Sequence, residues 1–148
     1  MIDRRRLIAA LAVTPLLAGH AFAGPEPAVE IVDAYARATP PGAMSGAAYA
    51  TLRSTGPADR LIGASSPAAA QVMIHENVET DGVMQMRHVP ALDIPAGGET
   101  VLAPGGLHVM LMGLTGPLTE GESLEITFSF ETSGEITATV PIRAFAAE

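Results

Sequence analysis

Gln71-Val72-Met73-Ile74-His75-Glu76-Asn77-Val78-Glu79-Thr80-Asp81-Gly82-Val83-Met84-Gln85-Met86-Arg87-His88-Val89 reads as a β-hairpin. A two-residue type I′ turn needs positive φ at both central positions, and Asp-Gly is a dipeptide that accepts it. With Asp81-Gly82 as the loop, Thr80 faces Val83, Asn77 faces Met86 and His75 faces His88. Side chains alternate across a strand, so His75, Asn77, Met84, Met86 and His88 share one face. His75 and Met86 become diagonal neighbours, roughly 7–8 Å apart between Cα atoms. A single bulge would shift this register and turn the other face outward.

The same rhythm of short apolar blocks, broken by Gly, Pro, Asp and Ser, runs along the rest of the chain. Strands are expected over residues 30–37, 47–53, 60–65, 71–79, 83–89, 99–102, 108–111, 123–131 and 135–142. Thr39-Pro40-Pro41-Gly42, Thr55-Gly56-Pro57, Pro95-Ala96-Gly97-Gly98, Pro104-Gly105-Gly106 and Ser133-Gly134 supply the turns between them. Pro67-Ala68-Ala69-Ala70 is the one helix-friendly run, and it is too short for more than a single turn. Eight to nine short strands at this spacing imply an all-β fold, a Greek-key sandwich or barrel, in one domain.

The first residues stand apart from that pattern. Arg4-Arg5-Arg6 precede an apolar run from Leu7 to Leu17, and Ala21-Phe22-Ala23 is an A-x-A-like cleavage site. Residues 1–23 are therefore expected to be a signal peptide, leaving 24–148 as an exported domain without a stable membrane anchor. The three arginines fit either the general secretory or the twin-arginine route. The remainder carries five arginines against fifteen acids, a formal charge of -10, and no lysine. Nucleic-acid binding demands cationic contacts and is excluded on that balance. No cysteine occurs. That removes thiolate nucleophiles, a blue-copper ligand set and disulfides, so the domain must stand on its apolar core.

Four residues form a chemical pattern: His75, Met86, His108 and Met110, spaced His-x10-Met-x21-His-x-Met. Two imidazoles and two thioethers make a neutral, soft donor set, and thioethers select copper(I) over harder cations. His108 and Met110 lie two apart on one strand and project to the same side, roughly 6.6 Å apart along it. The Pro104-Gly105-Gly106 turn places His108 toward a sheet rim, and Gly113 marks the expected end of that strand. Met44, Met73, Met84 and Met112 read as core filler, the usual role of a flexible thioether. His88 reads as a surface or hydrogen-bonded histidine. If the four donors do not converge, the chain is a metal-free interaction module. No nucleophile elbow and no phosphate-binding loop is present, so no enzyme is indicated. Three histidines after residue 23 are too few for a multi-histidine catalytic copper site.

The spacing and its flanks resemble the periplasmic PCuAC-type copper chaperones. The flanks are Gly82-Val83-Met84-Gln85-Met86-Arg87, Ile94-Pro95-Ala96-Gly97-Gly98 and Pro104-Gly105-Gly106-Leu107-His108-Val109-Met110-Leu111-Met112-Gly113-Leu114. The likeness runs from about Val32 to Ile142. It implies a cupredoxin-like β-sandwich, monomeric, holding one Cu(I) through His75, Met86, His108 and Met110. It also implies delivery of that copper to the CuA centre of cytochrome c oxidase subunit II, alongside a Sco-type thiol protein. A scavenging or resistance role on the same fold is the alternative. His88 falls where relatives often have proline, which places a fifth donor near the site. The end, Arg143-Ala144-Phe145-Ala146-Ala147-Glu148, lacks the His- and Met-rich tail of some relatives, so no tail site is expected.

Overall fold

A computed structural model describes residues 28–145. The expected signal peptide and the last three residues lie outside that range. Ten strands follow one another: β1 (Val29–Arg37), β2 (Ser45–Ser54), β3 (Asp59–Ser65), β4 (Ala69–Thr80), β5 (Val83–His88), β6 (Leu92–Ile94), β7 (Glu99–Leu102), β8 (Leu107–Leu114), β9 (Ser123–Phe130) and β10 (Gly134–Arg143). No helix occurs among the described residues. Nine strands match the expected ones within a few residues. β6 is additional. It is three residues between Pro90 and Pro95, too short to show a period, and it pairs with β3 through Leu61↔Leu92 and Asp59↔Ile94. β8 does not end at Gly113. That glycine takes φ +65°, and its N–H and that of Leu114 both donate to Met44 O, so the strand continues.

The strands run β4-β8-β2-β1-β10-β9-β3, and β3 returns to β4 through Ala64↔Val72. The result is a closed, barrel-like sandwich. β5 extends it beyond β4, β6 beyond β3, and β7 continues the β8 edge of β2. β1 and β10 pair in parallel, and the other pairs are antiparallel. The interior is filled by alternate residues. Along β9, Leu124, Ile126, Phe128 and Phe130 are buried while Ser123 and Glu125 face water. Val72 and Ile74 of β4 and Val109 and Leu111 of β8 point into the same core. Met73, His75, Asn77, His108, Met110 and Met112 therefore lie on the opposite, outer face.

β1 contains the bulge that determines what stands beside that outer face. Val32 pairs with Thr51 and Tyr35 with Tyr49, so Asp33 and Ala34 together oppose one residue of β2, with Asp33 at φ +52°. Val29 and Ile31 face the core before it, and Ala34 and Ala36 after it. The extra residue resets the alternation and sends Tyr35 and Arg37 outward.

Candidate metal centre

The Asp81-Gly82 turn has φ +52° and +75°, as a type I′ loop requires. The expected hairpin register follows: His75↔His88, Asn77↔Met86 and Thr80↔Val83. On its other edge β4 pairs with β8, His75 opposite His108 and Met73 opposite Met110. His75 thus has His108 directly across one edge, with Met110 and Met86 diagonal to it on β8 and β5. Three strands bring the four donors to one patch of the outer face. The His75 and His108 ring centroids are 6.0 Å apart. Met86 is 60 % exposed, whereas His108 is only 5 % exposed despite its place near the β7–β8 turn. Two neighbours flank the four. The His88 ring stands edge-on to His75 at 5.9 Å, and Met73 accepts a hydrogen bond at sulfur from Gln71.

The two imidazoles are prepared differently. His108 Nδ1 lies 3.0 Å from Gly106 O, so Nδ1–H donates to that carbonyl and leaves Nε2 with a free lone pair. His75 Nδ1 is buried and has no hydrogen-bond partner. Buried polar groups are nearly always paired, so this nitrogen calls for a partner that protein atoms do not supply. Burial, and then the neighbouring His108 and His88 rings, lower the His75 pKa, which keeps the imidazole neutral and able to donate. Among the described residues no three His, Asp or Glu side chains are grouped to hold a metal. Methionine sulfur beside two imidazoles is a soft donor set, of the kind that favours copper(I) over zinc, calcium or magnesium.

A cavity of about 320 Å³ opens beside these donors, lined on one side by Asn77, Met86, His108 and Met110. His75 does not line it. Pro40, Ala43 and Ala47 of segment 38–47 line it as well, as do Arg37, Tyr49 and Phe145. Nothing in the local sequence marks those last three. Tyr49 and Arg37 arrive through the β8-β2-β1 strand order and the β1 bulge, and Phe145 through the pairing of β1 with β10, all of them long-range features.

The LpqE-like lipoprotein family model matches residues 29–142. Protein Lxx21020 of Leifsonia xyli subsp. xyli (strain CTCB07), a lipoprotein by name, is 34 % identical over 119 residues, covering 79 % of this chain and 70 % of its own length. Among solved structures, the copper-bound PCuAC domain from PmoF2 superposes with a TM-score of 0.67 at 26 % identity, over 79 % of this chain and 93 % of that domain. The copper(I) form of DR1885 from Deinococcus radiodurans does so with a TM-score of 0.60 at 35 % identity, over 84 % of this chain and 83 % of that one. The strand order that gathers the histidine and methionine residues is thus shared with PCuAC domains, and the chain belongs to the LpqE-like family, which is related to them.

Proposed function

We propose that this protein is an exported copper(I) chaperone, a cupredoxin-like domain of residues 24–148 that binds one Cu(I) through His75, Met86, His108 and Met110. The observation that carries the reading is the unpartnered, buried Nδ1 of His75 at the hub of two imidazoles and two thioethers. The copper-bound relatives of the same fold support it. Neutral donors bind copper(I) without deprotonating a thiol, so the site holds the metal yet yields it to a thiolate-bearing acceptor. The exposed Met86 is the ligand through which such an acceptor would reach the metal first. The CuA centre of cytochrome c oxidase subunit II is an acceptor of that kind, and a Sco-type thiol protein is a fitting companion. In this reading residues 1–23 direct export to the periplasm, where the domain acts as a monomer and catalyses nothing.

Anaerobic titration with copper(I) against a chromogenic chelator tests the assignment. One equivalent should bind the native domain, and His108→Ala with Met110→Ala should abolish binding at that affinity. Unchanged stoichiometry in the double variant would remove these ligands. In a strain lacking the protein, a low CuA content of the oxidase is the expected sign of delivery, whereas normal CuA with copper sensitivity would replace delivery by scavenging.

A further inference from the structure

The described part of this acid-rich chain holds five arginines. Arg53 pairs with Glu99, Arg60 with Asp93 and Glu131, and Arg87 with Glu76. Arg37 and Arg143 have no carboxylate partner among the described residues. Both are set against aromatic rings instead. Arg37 lies 5.5 Å from the Tyr49 centroid and 5.8 Å from that of Phe145, and Arg143 lies 4.4 Å from that of Tyr35. Tyr35 and Tyr49 are themselves 5.2 Å apart. Arg37 Nε is buried with no hydrogen-bond acceptor; with His75 Nδ1 it is one of two such side-chain atoms among the described residues. Both residues belong to one patch of the outer face, and Arg37 lines the cavity beside the donors.

Aromatic faces stabilise a guanidinium in part, but they do not accept its N–H groups. A planar anion would supply such acceptors, since a carboxylate meets the guanidinium fork with two parallel hydrogen bonds. No acidic residue among the described ones lines the cavity. The rest of the lining is largely apolar or thioether. At about 320 Å³ the cavity is at the lower end of small-molecule sites, which run from roughly 300 to 1,000 Å³. The overall negative charge repels anions at long range, but that repulsion is screened beyond about 8 Å at physiological salt, and contact with Arg37 is local.

We propose that this cavity binds a small carboxylate-bearing ligand of amino-acid size, its carboxylate on Arg37 and its apolar or sulfur-containing end toward Met110 and Ala47. Its role, which rests on the copper reading above, is that of a small chelator accompanying copper to or from His108, Met86 and Met110. The anion site itself stands on Arg37 and the cavity and does not need the metal.

The test uses metal-free protein and a built-in reporter. Tyr35 and Tyr49 are the only tyrosines and there is no tryptophan, so intrinsic fluorescence originates at this patch. N-acetyl-L-methionine should produce a saturable fluorescence change, and its uncharged amide should bind at least tenfold more weakly. Arg37→Gln should weaken binding of the acid at least tenfold. Ala47→Leu, which fills the cavity and keeps the guanidinium, should do the same, so the proposal remains testable if Arg37→Gln does not fold. Equal binding of acid and amide, or native affinity in a folded Arg37→Gln or Ala47→Leu variant, would overturn it. Carboxylate binding in a protein that takes no copper(I) would support the site and remove the copper role. Copper(I) binding without any carboxylate response would remove the site alone.

Discussion

The Nδ1 of His75 and the carboxylate of Asp59 are both withdrawn from water, and their surroundings are opposite. Asp59 is 8 % exposed and fully engaged: Oδ1 accepts the N–H groups of Arg60 and Thr132, and Oδ2 accepts the N–H and hydroxyl of Ser133. It ties the start of β3 to the β9–β10 turn, and nothing about it awaits a ligand. Burial acts to raise its pKa, but the Ser133 hydroxyl and the three N–H groups together outweigh burial and hold it below the usual carboxylate value. In acid the unfolded chain therefore binds more protons than the folded one. The stabilisation is complete above the unfolded pKa and is lost as pH falls through the folded one. Asp59→Ala should lower stability by about 3 kcal/mol near neutral pH, as expected for stranding several buried donors. Urea denaturation checks this, and the gap between native and variant should shrink as pH falls below the ordinary carboxylate range. The four-donor pattern of His75, Met86, His108 and Met110 is visible in the sequence because it depends on residue type and spacing. Asp59 and Arg37 are not, because a carboxylate or guanidinium looks the same on paper whether its partners are present or missing.

The β4–β5 hairpin and the β8 strand differ in how far their geometry can be read from the chain. The hairpin register follows from two turn residues in the middle of its own segment, so Asn77↔Met86 and His75↔His88 are legible locally. The His75↔His108 pairing closes a separation of 33 residues, and no turn encodes it. It is settled by burying Val72 and Ile74 with Val109 and Leu111 in one core, a decision made by the whole barrel. Gly113 lets β8 run on to Leu114. Its φ is +65°, and a Cβ there would stand 2.9 Å from the Ala70 Cβ. Gly113→Ala should cost about 2–3 kcal/mol, combining left-handed backbone strain with overlap against β4. Chemical denaturation measures that loss. A decrease below about 0.5 kcal/mol would show that β4 and β8 separate easily at this point.

At the scale of the whole molecule, closure through the β3–β4 pair leaves the barrel interior to the apolar core and confines the donors to the outside. Binding at an outer face adds stability without rearranging the interior. With free copper(I) a hundredfold above its dissociation constant, linkage gives about 2.7 kcal/mol. For a domain of this length that should raise Tm by about 10 °C. Anaerobic calorimetry should show this rise in the native domain and none in the His108→Ala, Met110→Ala double variant. An equal rise in both would place the stabilising metal elsewhere.

The bulge at Asp33 and Ala34 has a consequence that belongs to heredity rather than to energy. Inward and outward positions in a strand are set by parity, so one residue added or removed exchanges them for everything downstream until the next irregularity. In β1, that single step decides whether Tyr35 and Arg37 stand beside the donor face or are pushed into the core. A substitution can alter one side chain of this surface. A one-residue insertion or deletion in β1 rewrites a whole column of it at once, and related chains that differ there in length by one residue would present different chemistry next to the same histidines and methionines.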